Sequence, residues 1–314
     1  MVISRAALAA AAIMLTVSTQ GAHAQNMVPA ALADRVAITN PDNYNDLESV
    51  HGGAGPMAFA SLFDARRDDS VRFDLGTNFL FLHRGVIYPG GGIGAHYHNA
   101  VEEMFVILSG EAEFTIDSRT SLLQAPVGAP ARLGSNHAIV NPTDEPIEWL
   151  NINVSTIPGY YDAYDLGDAR VDAELDEIPQ FIVADLSGEK LRDVENYDGG
   201  TGPVKVHRAL QPSVFFTPWT YFDHVVIPAG SSIGPIAKPD LSEVFYVLSG
   251  EGEATISGET ISIQEGHVVP AGLGESRSFV STGDEPLELM VIGVARDMET
   301  KREYMVSEDA RIRR

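Results

Sequence analysis

The chain has 314 residues, 44% of them hydrophobic and 21% charged, which suits a soluble globular protein of about two domains. A formal net charge of −23 repels phosphate backbones and anionic lipid, so it argues against nucleic acid and membrane as partners. Cysteine is absent, which excludes disulfides and a thiol for lipid attachment.

Residues 1–24 read as a signal peptide. Arg5 gives a positive start, Ala6 to Val17 are apolar, and Ala22-His23-Ala24 is a small-x-small cleavage pattern. The apolar run is short for a bilayer span, so the mature chain is expected to begin at Gln25 and to be periplasmic or secreted. Residues 25–44 look irregular. From 45 to 155 the pattern is short strands: Asn78–His83, Met104–Leu108, Glu113–Ile116, His137–Val140 and Ile147–Val154 are rich in β-branched or aromatic residues between Gly, Pro, Asn and Asp. Such spacing suggests a β-sandwich or small barrel. Residues 156–185 read as a connector with room for a short helix, residues 186–296 as a second strand-rich domain, and 297–314 as a charged tail able to form a helix.

The second domain repeats the first. Residues 93–154 and 233–294 align without a gap at an offset of 140, with roughly two positions in five identical. Gly52-Gly53-Ala54-Gly55-Pro56 is echoed by Gly199-Gly200-Thr201-Gly202-Pro203 at an offset of 147. The copies diverge at chemistry-bearing positions: His96, His98 and His137 face Ile236, Lys238 and Arg277, while Glu103 faces Glu243.

His96 and His98 share one face of a strand because side chains repeat with period two. With Glu103 and His137 they make a donor set for one divalent transition metal, be it Mn, Fe, Zn, Ni or Cu. Lys238 and Arg277 place permanent cations at the matching points of the second copy, where they either fill the cavity with Glu243 or form a small anion pocket. On strand 147–154 one face, Leu150, Ile152 and Val154, is apolar in both copies. The other face, Trp149, Asn151 and Asn153, becomes Leu289, Val291 and Gly293, which marks Asn151 and Trp149 either as cavity lining or as part of an interface between the domains. Phe105 and Ile107 share the parity of Glu103, as pocket wall or as core. Arg132, where the second copy has Gly272, and Tyr88 and Arg84 are candidate substrate contacts or proton donors. Tyr97 and Glu102 are out of phase with the ligands, so Glu102 is set aside as a base in favour of metal-bound water.

Gly90, His96, His98, Glu103 and Gly110 resemble the first motif of the cupin superfamily, and His137 and Asn141 resemble the end of the second. Pro130-Ala131-Arg132 departs from the family's Pro-x-Gly, and His137 follows Pro130 by seven residues where the family has five. The resemblance implies an all-β protein of two tandem jelly-roll (double-stranded β-helix) barrels, a bicupin, with one intact and one degenerate metal site. It also implies a metal-dependent enzyme for a small oxygen-rich organic substrate, of O2-dependent dioxygenase or decarboxylase type. Alternatives are an isomerase or lyase of a sugar acid, or a ligand-binding bicupin without turnover. The expected assembly is a monomer or homodimer.

Overall fold

Strand-forming runs broken by glycine turns fold as two jelly rolls in the computed structural model, which describes residues 30–66 and 74–307. The predicted signal peptide lies outside those residues. In the first barrel a seven-stranded sheet runs in the order Ala184–Asp185, Val127–Ala131, Val101–Ile107, Ile147–Ser155, Phe79–Ile87, Met57–Asp64, Asn45–Leu47. A five-stranded sheet faces it: Tyr164–Asp165, Gly92–Tyr97, His137–Val140, Glu111–Ile116, Arg119–Gln124. The second barrel repeats the plan with Ala37–Ile38, His267–Ala271, Leu241–Ser249, Leu287–Ala295, Trp219–Ile227, Pro203–Leu210 and Arg192–Glu195 against a four-stranded sheet.

The seven-stranded sheets pack together through their outer faces. Met104, Val106, Leu150, Ile152 and Val154 meet Phe222, Val244, Met290, Ile292 and Val294 in one apolar layer. The apolar face common to both copies is therefore the junction between barrels. The opposite face, carrying Phe105, Ile107 and Trp149, fills the inside of the first barrel. Burial on both faces explains why Phe79–Ile87 and Val101–Ile107 show little alternation in sequence.

Residues 30–44, expected to be irregular, are structured. One helical turn, Leu32–Arg35, places Leu32 in the second barrel's core, and Ala37–Ile38 pairs with Val268 and His267 of that barrel. Asn45–Leu47 then returns to the first barrel. At an offset of 147, Ala184–Asp185 pairs with Gly128 and Val127 of the first barrel. Each copy thus contributes its leading arm to the other. A two-residue edge strand has no periodicity to read, which is why this arm looked irregular.

Among the described residues, 159–180 hold no helix; Tyr164–Asp165 instead pairs with Tyr97 and His96 beside the site. The tail does form a helix, Met298–Val306, capped by the Asp297 carboxylate accepting from the Thr300 amide at 2.8 Å.

Candidate metal centre

Strand Gly92–Tyr97 carries His96, and His98 follows just beyond its end. Strand Val101–Ile107 supplies Glu103, and His137 opens the strand that pairs with His96. All four side chains are at most 2% exposed, and their donor atoms lie within 4.8 Å of one another. Glu103 Oε2 is 3.2 Å from His96 Nε2 and 2.9 Å from His98 Nε2, with His137 Nε2 closer still.

The outward ring nitrogens fix the tautomers. Nδ1 of His96 donates to the Gly94 carbonyl at 2.8 Å, Nδ1 of His137 to the Ser135 carbonyl at 3.2 Å, and Nδ1 of His98 to the Asp162 carbonyl. That turns every Nε2 towards Glu103, the orientation a metal-ligating histidine needs. Burial alone would push the Glu103 carboxyl up, but the charge of His98 and hydrogen bonds from His137 and His96 hold it well below the usual range. Burial, then the neighbouring His137, holds the His96 ring below its ordinary value. A divalent ion there would be met by the Glu103 carboxylate and by three imidazole nitrogens at once. The donor set therefore fits a metal, which His96, His98, Glu103 and His137 would hold and which would supply Lewis acidity there.

Glu103 is itself oriented. Its Oε1 accepts from Asn151 Nδ2 at 2.6 Å and from Asn153 Nδ2 at 3.1 Å, and Asn153 also donates to Asn151 Oδ1 at 2.7 Å. Asn151 thus positions a ligand, and Asn153 shares the task. Asn151→Ala is expected to weaken metal affinity by about 10–100-fold, read by competition with a chelator.

A cupin domain model matches residues 83–153 and 223–293. A curated relative, the oxalate-binding protein of Thermotoga maritima, is 30% identical over 99 residues, 32% of this chain and 82% of that protein. The chain belongs to the cupin family. Oxalate decarboxylase of Bacillus subtilis superimposes with a TM-score of 0.56 at 16% identity, over 83% of this chain and 76% of that one. Vicilin of Corylus avellana gives 0.56 at 12% identity, over 82% and 86%. These likenesses establish the two-barrel fold.

In this bicupin the second barrel holds an ion-pair network at the equivalent place. Glu243 accepts from Arg277 Nε at 2.7 Å, Lys238 Nζ at 2.9 Å and the Tyr221 hydroxyl at 2.6 Å. Arg277 also reaches Asp198 at 2.7 Å. The Tyr221 ring occupies the space above Gly293, where a Cβ would lie 2.2 Å from it, so Asn153 has no counterpart there. Both cations are committed to carboxylates, which favours a filled cavity over an anion pocket.

Other sequence candidates fall elsewhere. Arg84 lies on the outer face, donating to the Tyr246 hydroxyl at 3.1 Å and pairing with Glu148 at 2.7 Å. Tyr88 sits past the end of Phe79–Ile87, about 20 Å along the strand direction from the row of Glu103. Arg132 is exposed, its guanidinium 5.4 Å from the Phe216 ring. Neither Arg84, Tyr88 nor Arg132 reaches the cluster. Tyr97 stacks on Tyr164, and Glu102 is buried in the barrel junction, accepting from the Phe216 and Thr217 amides at 2.9 and 2.8 Å. Trp149 and Phe105 face inward, with the Phe105 ring 5.4 Å from His137.

Sequence reasoning missed His83, Arg66 and Tyr161, whose rings and charges surround the cluster. His83 stacks on Phe81, and Tyr161 lies 5.2 Å from the His98 ring. The repeat did hold a signal: His83 becomes Asp223 in the second copy, changing along with the ligands. Tyr161 comes from the connector, which carries no recognisable motif.

Proposed function

We propose that this bicupin is an exported, metal-dependent enzyme acting on a small oxygen-rich organic molecule, with O2-dependent oxidation or decarboxylation as its chemistry. The observation that carries this reading is the convergence of three Nε2 atoms and one carboxylate oxygen on a buried point of the first barrel, which among the described residues has no counterpart in the second. A divalent ion bound there supplies Lewis acidity and a docking point for substrate oxygens. Around it, Asn151 and Asn153 hold Glu103, backbone carbonyls hold the imidazoles, and Phe105 with Trp149 keeps the floor dry. The oxalate binding named for the Thermotoga maritima relative supports a small chelating ligand. Because that relative is named as a binding protein, ligand binding without turnover is the second reading. Sugar-acid isomerisation or lysis, which needs no oxygen, is the third.

Elemental analysis of the purified protein, followed by oxygen uptake on a panel of small acids and dicarbonyls, separates the three. Redox-active Mn, Fe or Cu with oxygen uptake supports oxidation. Zinc or nickel with oxygen-independent turnover supports isomerase or lyase chemistry, and a metal-bound ligand recovered unchanged supports binding. Export rests on residues 1–24, and a mature mass starting at Gln25 is the expected result.

A further inference from the structure

Two buried charges of opposite sign stand at the junction between the barrels. Glu102, 0% exposed, shares the face of its strand that carries Met104 and Val106 into the apolar layer. Lys301, 2% exposed, comes from the C-terminal helix. Residues 215–217 of the second barrel lie between them. Glu102 accepts from the Phe216 amide at 2.9 Å, and from the Thr217 amide and hydroxyl at 2.8 and 2.6 Å. Lys301 Nζ donates to the Phe215 carbonyl at 2.7 Å and to the Thr217 carbonyl at 2.6 Å. The peptide joining Phe215 to Phe216 therefore has its carbonyl on a cation and its N–H on an anion. Hydrogen bonds chained in this way polarise and strengthen one another.

The other copy shows a simpler version of this contact. At an offset of 140, Glu102 answers to Ser242 and Thr217 to Thr77. There the barrels meet through a hydroxyl contact of 2.7 Å between Thr77 and Ser242. A neutral contact suffices beside Glu243, whose barrel lacks the ligand histidines, and the charged one stands beside Glu103. Buried ionic groups often add little net stability and can instead fix one arrangement of the parts they join. Side chains alternate along a strand, so Glu102 held in the junction sets where Glu103 projects into the barrel. A ligand set serves its ion only while each donor stays within about 0.5 Å of its place.

We propose that Glu102 and Lys301 are positioning residues for the metal centre. Acting through residues 215–217, they hold the strand of Glu103 at the place its carboxylate needs, so the second barrel and its C-terminal helix support the first barrel's ligand set. The inference rests on the metal-dependent reading above. It gives the barrel without a metal site a defined task, carried by two charges that never touch the ion.

The test measures Co(II) affinity by chelator competition, the visible absorption of the cobalt-saturated protein, and the urea midpoint of each variant. Lys301→Met keeps the length of the side chain and removes its charge. It is expected to weaken Co(II) by about tenfold and to alter the cobalt absorption bands, although residue 301 lies outside the ligand set. Thr217→Val, which deletes the hydroxyl donor to Glu102, is read alongside in case the first variant misfolds, and should shift both readouts in the same direction by less. Ser242→Ala breaks the neutral contact at the matching point. It should lower the urea midpoint and leave cobalt affinity and absorption unchanged. Wild-type affinity and spectrum in both Lys301→Met and Thr217→Val overturn the inference while leaving the metal site standing. An equal loss in Ser242→Ala also overturns it, because any damage to the junction would then have the same effect. A wild-type chain that takes up no Co(II) overturns both this inference and the metal-dependent reading.

Discussion

Alanine at His96, or separately at His98, is expected to lower metal content from about one ion per chain to background, because each change removes a neutral imidazole from a set of only four donors. Glu103 would stay buried at 2% exposure with one fewer partner. Its remaining neighbours would have to supply protons in place of the ion, so the apo protein should fold with reduced stability. Elemental analysis after dialysis reads the first effect and denaturant unfolding the second. Full metal stoichiometry in both variants would dismiss this cluster as the metal site. The two replacements test different supports, since His96 is held by the Gly94 carbonyl on its own strand and His98 by the Asp162 carbonyl from the connector.

Arg277→Ala acts on stability instead. It strips the second barrel's buried Glu243 of two hydrogen bonds, at 2.7 and 3.1 Å, and leaves Asp198 without its closest cation. Removing one partner of a buried ionic network costs about 3–5 kcal/mol, because the remaining charge stays desolvated. Metal content of the folded variant should match the wild type, as the change lies in the other barrel. The pH dependence follows from the sign of the shift. Burial raises the Glu243 carboxyl, but Arg277 and Lys238 hold it well below its ordinary value. Its contribution to stability is therefore present above the ordinary carboxylate range and is lost as pH falls. Wild type and variant should differ most near neutrality and converge in acid, with urea titrations at several pH values as the measurement. Lost turnover at unchanged metal content would give the second barrel a functional role.

Residues that name their partners by type and spacing were legible before folding. His96, His98, Glu103 and His137 announced a donor set, and the repeat showed which copy kept it. Asn151 was found because it changed together with the ligands, and its side-chain amide donates to Glu103. Less legible were residues whose neighbours are set only by sheet packing. Arg84 and Tyr88 were drawn towards the site by sequence proximity to the metal loop, yet Arg84 points out of the barrel and Tyr88 lies beyond the strand's far end. His83 sits in a run buried on both faces, so no alternation separates pocket from junction. The rings and charges gathered around Phe81 come from three separated segments, around Arg66, His83 and Tyr161, which only the folded sheets bring together.

The exchanged arms bear on how such a molecule can come apart. Leu32 is 1% exposed inside the second barrel, and Ala184 is fully covered by the first. Cutting the chain midway would leave each half with an uncovered sheet margin and a stray tail that fits only its former neighbour. Co-expressed halves should therefore reassociate, whereas either half alone should find a second copy of itself or aggregate. A one-barrel forebear built on this plan would have met the same demand by pairing with its own kind. Joining two such units end to end satisfies it within a single polypeptide, and leaves one unit free to give up its chemistry while still propping up the other.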